Sequence, residues 1–536
     1  MKKKTKLLLS AAAVVLLLAI GILLLFVLKT DRTMRGYALY AQDSTLYYNG
    51  LDGVLFDLTE YSMDASFGET QLHEAARAAC ADAAVFGDRL FYTMSDALYL
   101  RDITRSDAVP VLIAETVTEH RVSADGAYVL YTDTSKTLCR YRVKDGDVQE
   151  IENNVISFEI TDDGKNAVYI TQTEEGKRAY RKRGDKSAEE VPVGIYEFTQ
   201  DMRYLLCLQY EYTINVTMVD ENGQTTSFGN CISASDLYET GTFYYLKEDD
   251  TGIPGDQIFI DDLDDSELSQ KMRELYLHRN TDSYSLHYFD GKQDICLTEN
   301  VPIVSYRAAA EHDAVVFKAF TEQSERIPLS LFTESAAMLN KELSRRGELF
   351  AAVGGTVINI PSKHAENITI SAQGDRIAYL CGGDLYEAEL QHGKPMQAVF
   401  RASDISEYYL RFLENGELFY LKKTDNPLFG DLFVGDKQIA SDVYLNFNKY
   451  TVNGNRFAYM TDVDDSKHGT LWVYDGKNAT NVADRVWMDS VTLTPDGRVL
   501  YQTNVDSKTQ KGDLHVFDGT NQALVAKDVL HYQREF

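Results

Sequence analysis

The chain has 536 residues, is 44% hydrophobic and 25% charged, and carries a formal net charge of −29. That balance excludes a disordered polyelectrolyte, and its sign argues against a nucleic-acid partner, whose phosphates an acidic body repels. Proline is scarce at 9 residues while tyrosine reaches 34 and phenylalanine 24, a composition that favours strands.

The first predicted element is a membrane helix. Leu7–Leu28 is free of charge, with Lys2, Lys3, Lys4 and Lys6 before it and Lys29, Arg32 and Arg35 after it. A helix of that length spans roughly 30 Å, the hydrocarbon thickness of a bilayer. A cleaved secretory signal would have a shorter apolar stretch and small residues at a cleavage site; here Phe26, Val27 and Leu28 run straight into Lys29. The expectation is a basic cytoplasmic tail at 1–6, a transmembrane signal anchor at 7–28, and a cell-membrane protein with its large remainder extracytoplasmic, as the excess of lysine before the helix favours. That remainder, 36–536, holds 46 basic and 81 acidic side chains.

From residue 80 onward one phrase repeats. A tight turn followed by an apolar run occurs at Phe86–Asp96, "VSADGAYVLYTD" (Val122–Asp133), "ITDDGKNAVYIT" (Ile160–Thr171) and Thr199–Gln209. It returns at Glu239–Asp249, Glu311–Phe320, Ala372–Leu380, Leu413–Lys423 and Val452–Asp462, and as "VTLTPDGRVLYQTN" (Val491–Asn504). The turns at Asp88, Asp125, Asp163 and Asp201 stand 37, 38 and 38 residues apart, and those at Gly374, Gly416, Gly454 and Gly497 stand 42, 38 and 43 apart. A second phrase interleaves with it: "LHYFDGK" (Leu286–Lys292), "LWVYDGK" (Leu471–Lys477) and "LHVFDGT" (Leu514–Thr520). Asp-Gly provides the positive φ that tight hairpins need. Two hairpins in about 40 residues make four short strands, the size of one propeller blade. A lone blade leaves both apolar faces wet; a succession of blades covers them.

These turn-strand phrases resemble the S-P-D-G-x-x-[IL]-[AV]-[FY] repeat of TolB-like, WD40-like propellers. The likeness extends over most of 80–536 and departs from the pattern at Asp201-Met202, where the glycine is missing, and in the rarity of proline, present only at Pro495. The resemblance implies an all-β propeller and a family of binding scaffolds, assembly factors and non-catalytic peptidase domains. Ten clear modules, with an eleventh around Gly36–Gly50, exceed the 4–8 blades of a single ring. Two rings, or one large ring with extra blades, are expected: a first propeller region at 36–248, an acidic and helical insertion at 249–283, and a second region at 284–536.

Two interruptions have helical patterning, Asp261–Asn280 and, within Glu334–Phe350, a helix ending near Gly347. The acidic stretch Lys247–Asp265 lacks the ligand order of a calcium loop and reads as a solvated loop, as does Thr461–Gly469. The six cysteines form no Cys-x-x-Cys pair; Cys139 and Cys207, inside apolar runs, read as buried thiols. No Gly-x-Ser-x-Gly elbow or phosphate-binding Gly-Lys-Ser/Thr loop occurs, and the run from His73 ends in Arg77 where a zinc protease needs histidine. His287 and His515 occupy matching places in the second phrase and read as structural repeats. No catalytic, metal-binding or cofactor-binding residue is assigned and no cofactor is expected. The expected function is a membrane-anchored scaffold or sensor for protein or peptide partners; the alternative is a propeller enzyme acting on carbohydrate or peptide, with its site gathered from separate blades.

Overall fold

A computed structural model gives the fold. It describes residues 39–42, 45–48, 54–57, 83–248, 283–319, 321 and 345–532, less 87, 95, 103–107, 211–213, 303–305, 363, 391–396, 446–453, 495–496 and 507. The anchor at 7–28, the helix expected at 261–280 and most of the acidic stretch lie outside the described residues. Among the described residues no helix is long and apolar enough to cross a membrane.

The described chain is all-β, and its unit is a four-stranded antiparallel meander. Val155–Ile160, Asn166–Thr173, Gly176–Arg183 and Glu189–Val191 pair in that order. Equivalent meanders occupy 84–114, 119–152, 306–360, 365–402 and 405–444. Some modules share a strand. Thr225–Ala234 pairs through its first half with Ile214–Val219 and through its last residues with Phe243–Glu248, so it ends one module and starts the next. Gln522–Tyr532 does the same at the chain ends: after pairing with Gly512–Phe517 it pairs with Leu39–Gln42, supplying the first strand of a module completed by Thr45–Tyr48 and Val54–Asp57. With the meander of Phe457–Thr461, His468–Tyr474 and Ala479–Trp487, the described residues form eleven modules, numbered 1 to 11 from this shared one. Successive meanders with a C-terminal strand completing the N-terminal module define a β-propeller fold.

The chain divides into two compact units, Glu119–Asn446, which holds modules 3 to 9, and Met1–Thr118 with Phe447–Phe536. The segment 249–283, expected to separate two regions, instead interrupts module 6. Phe243–Glu248 and Ser283–Phe289, on either side of it, pair along their whole length. An insertion at a hairpin end adds loop entropy without disturbing the register. Of the second helical expectation, residues 334–344 lie outside the described residues; Arg345 and Arg346 are helical, and the strand Glu348–Val353, paired with Ala314–Ala319, begins just after Gly347.

Each central strand of the 119–446 unit feeds two cores. Ala167 and Tyr169 pack with Leu130 and Leu138 of module 3, while Val168 between them packs with Leu205 and Val219 of module 5. Tyr244 and Leu246 join Val315 and Phe317 of module 7, whereas Phe243 and Tyr245 join Leu206 and Leu208 of module 5. The period-2 geometry of a strand makes this unavoidable, and it explains the unbroken apolar runs: both faces are covered.

The tyrosines are explained as well. A ring on the second strand of a module stacks on a ring directly opposite on the third. Examples are Tyr92–Tyr99, Tyr169–Tyr180, Phe317–Phe350, Tyr379–Tyr386 and Tyr420–Phe433, with centroids between 5.2 and 5.6 Å apart. Such pairs stabilise a sheet beyond their buried area.

Candidate functional site

The repeated turn is built around a buried hydroxyl. Ser123 Oγ donates to Asp125 Oδ1 at 2.7 Å and accepts from Tyr128 N–H. Thr161 with Asp163 and Thr199 with Asp201 repeat the contact at 2.7 and 2.8 Å. The Ser123 hydroxyl and the Ala127 N–H hold the Asp125 carboxyl below its ordinary range. Where glycine is missing, Met202 itself takes φ +51° and buries its side chain.

These turns also touch in series. Ala124 N–H donates to Asp162 O at 2.7 Å, Asp162 N–H to Gln200 Oε1 at 2.8 Å, and Gln200 N–H to Glu239 Oε1 at 2.9 Å. Beside this row, at modules 3 to 5, lie two polar clefts that share Gly184. One, of about 480 Å³, is lined by Tyr128, Arg140, Arg142, Asp147, Lys165 and Asp185. The other, of about 640 Å³, includes Asn166, Arg183, Lys186, Gln200, Asp201 and Arg203. Asp162, Asp163 and Glu239 also line the second cleft, so six cationic and six anionic side chains line the pair.

Arg140 is fixed at the floor of the first cleft, 11% exposed in its side chain. It donates to Lys165 O at 3.0 Å, Gln149 Oε1 at 2.6 Å and Asp185 Oδ1 at 3.3 Å, and lies over the Tyr128 ring. Arg142 bonds Asp145 and Asp147, at 2.8 and 3.1 Å. Asp185 and Asp147 are 93% and 62% exposed. Ion pairs that wet hold about 0–1 kcal/mol, so a partner's carboxylate can take their place. The arrangement suits recognition of a charged, extended segment. Of the clefts' cations only Arg183 and Lys186 belong to the basic run "GKRAYRKRGDK" (Gly176–Lys186), which was not singled out in the sequence.

His287 and His515 do fall at equivalent positions. His287 stacks on the paired Tyr245 at 5.1 Å and His515 on the paired Tyr501 at 5.2 Å. Trp472 stacks on Tyr459 in the third copy of the phrase. Burial lowers the pKa of His515. Cys139, Cys207 and Cys231 are buried free thiols, and burial pushes the last two up to about 12, far from thiolate chemistry at neutral pH. In the Thr461–Gly469 loop Asp464 accepts N–H bonds from Ser466 and His468 at 2.9 and 3.0 Å. His73 lies outside the described residues. Among the described residues, no group of three or more His, Cys, Asp or Glu side chains gathers to hold a metal ion.

No protein family matches the sequence, and no curated protein does. Solved structures similar to the chain include a eukaryotic initiation factor, at 9% identity and TM-score 0.37, covering 74% of this chain and 96% of that one. The β-propeller domain of the Trilobed protease from Pyrococcus furiosus is similar at 12% identity and TM-score 0.25, covering 68% and 98%. The tricorn protease is similar at 11% identity and TM-score 0.20, covering 83% of this chain and 44% of its own.

Proposed function

We propose that the protein is a single-pass, membrane-anchored β-propeller that acts outside the cytoplasm as a binding scaffold or sensor for protein or peptide partners. The observation that carries this reading is the pair of adjoining clefts at modules 3 to 5. They set six cationic beside six anionic side chains, offer hydrogen-bonding groups to an extended segment of mixed charge, and are large enough for several residues of a peptide. The uncharged 7–28 segment and its lysine flanks support the anchor and its orientation. Seven modules in 119–446 and four in the other unit each fall within the range of one closed ring, which supports a two-ring reading.

The test is affinity capture with the tagged full chain in detergent, beside an R142E/K165E double variant. Capture of a defined protein that the double variant loses is the expected result. No captured protein, together with turnover of a glycan or peptide library, would reverse the reading in favour of an envelope enzyme. Location is tested apart from this. Protease added to intact cells is expected to digest the large region; protection until lysis would overturn the orientation.

A further inference from the structure

Module 6 departs from its repeats in one respect. In the second phrase the aromatic residue of the third strand satisfies its ring nitrogen with a hydroxyl. Trp472 Nε1 donates to Thr461 Oγ1 at 3.1 Å, and His515 Nε2 lies 3.0 Å from Thr503 Oγ1. Packing needs no more than that. Module 6 has Lys247 where those modules have Thr461 and Thr503, and the hydroxyl comes instead from Ser285. Its Oγ is 3.2 Å from His287 Nε2, nearer than the 3.5 Å to its other acceptor, Lys247 O, while His287 Nδ1 is 2.9 Å from Asp294 Oδ1. Position 294 corresponds to Ala479 and Gln522 in the other copies, and position 285 to Thr470 and Asp513. Serine, histidine and aspartate coincide only in this copy of the phrase.

The acid sets the direction of the relay. An ionised Asp294 only accepts, so it holds the proton on Nδ1 and leaves the lone pair on Nε2 facing the Ser285 hydroxyl. The stacked Tyr245 ring fixes the imidazole plane. A hydroxyl bonded to a base that a third group orients is the arrangement that activates a nucleophile.

We propose that Ser285 is an activated serine that accepts acyl groups from small neutral esters, with His287 as its base and Asp294 as a positioning residue. In this step the Ser285 Oγ–carbon bond forms as its proton passes to His287 Nε2. The ester carbon–oxygen bond then breaks, and the leaving alkoxide takes that proton. Water attacks the acyl-serine in turn, losing a proton to Nε2, and the acid departs as the serine regains its proton. Size and neutrality follow from burial: Ser285 is 4% exposed, whereas the Asp294 side chain is 39% exposed. The inference is independent of the partner-binding reading, since the clefts at modules 3 to 5 do not include these residues.

The test treats the full chain in detergent with p-nitrophenyl acetate and, separately, with diisopropyl fluorophosphate, and maps the modified peptide by mass spectrometry. Modification of Ser285 is expected, rising with pH along one ionisation curve and absent in S285A. In D294N, where the imidazole loses its orienting acceptor, the rate is expected to fall about 100-fold or more, while the serine still labels slowly. Absence of Ser285 modification in the unaltered protein overturns the proposal whatever the variants do. Equal rates and pH profiles in the unaltered protein and D294N overturn the role of the relay.

Discussion

Lys318 is a charged side chain where the fold has no room for charge. It follows Phe317 on the strand Ala314–Ala319, is 3% exposed, and points towards module 8, where Nζ donates to Ala365 O at 2.6 Å. Burial brings its pKa down from 10.5 to about 7, with Glu366 opposing and Arg345 assisting that fall. Between those two values the unfolded chain binds a proton that the folded chain does not. Stability therefore rises with pH across that window, by up to about 1.4 kcal/mol per pH unit, and the full penalty is present below pH 7. Lys318→Met removes the titration. Its stability relative to the parent should be greatest near pH 6 and should shrink towards pH 10, as read from urea midpoints. Parallel profiles would refute the depressed pKa. Glycine provides a second residue-scale test. Gly164 has φ +65°, and an added Cβ would lie 2.8 Å from Tyr128 Cβ and 2.9 Å from Ser123 Cβ. Gly382 has φ +60° and nothing within 4 Å. Gly382→Ala should cost about 1–2 kcal/mol for the backbone alone, and Gly164→Ala measurably more in the same denaturation assay, because it also forces adjacent modules apart.

At the scale of elements, arginines join one module to the turn of the next. Arg181 has a fully buried side chain; it bonds Glu189 at 2.7 Å and donates to Met202 O, Arg203 O and Asp220 O at 3.2, 2.9 and 2.9 Å. Arg140 reaches Lys165 O, Arg376 reaches Gly416 O, and Arg456 reaches Gly497 O at 3.1 Å. A planar guanidinium with five donors satisfies several carbonyls at once, which an ammonium cannot. Arg181→Met should destabilise by about 3–5 kcal/mol, because it strips a buried network of its cation. Arg181→Lys should recover only part of that in chemical denaturation; full recovery would mean that charge alone matters. These links also mark what the sequence could and could not convey. The turn phrases were legible because Asp125, Asp163 and Asp201 act through local bonds, within two residues of Ser123, Thr161 and Thr199. The arginines were not, since their acceptors are backbone carbonyls, which carry no residue signature. The continuity of module 6 was not legible for a related reason: its two halves are joined by register, and register across a 34-residue insertion leaves no periodic trace. The Ser285–His287–Asp294 contact was half legible. The repeat exposed His287, but only the bend of the hairpin brings Asp294 to its far nitrogen.

For the whole molecule, the strand Gln522–Tyr532 is the element on which the terminal unit depends. Its first part completes module 11 and its last residues, through Val529, His531 and Tyr532, carry the register of module 1. Val529 and Tyr532 are fully buried and pack with Leu500 and Leu514. Without that strand the backbone groups of Leu39–Gln42 on this side lose their partners, and a sheet edge opens along it. The 119–446 unit has its own cores and takes no strand from 522–532. Unfolding of the full chain should then follow two transitions rather than one, since two compact units need not melt together. Removal of residues 522–536 should lower the first transition strongly and leave the second within error. Hydrogen exchange should locate the loss: amides of 39–57 and 499–517 should lose protection, and those of 166–173 and 376–381 should keep it. A truncated chain that melts in one unchanged transition, with 39–57 still protected, would show that the N-terminal strands find another partner and that the C-terminal strand is not what holds the unit together.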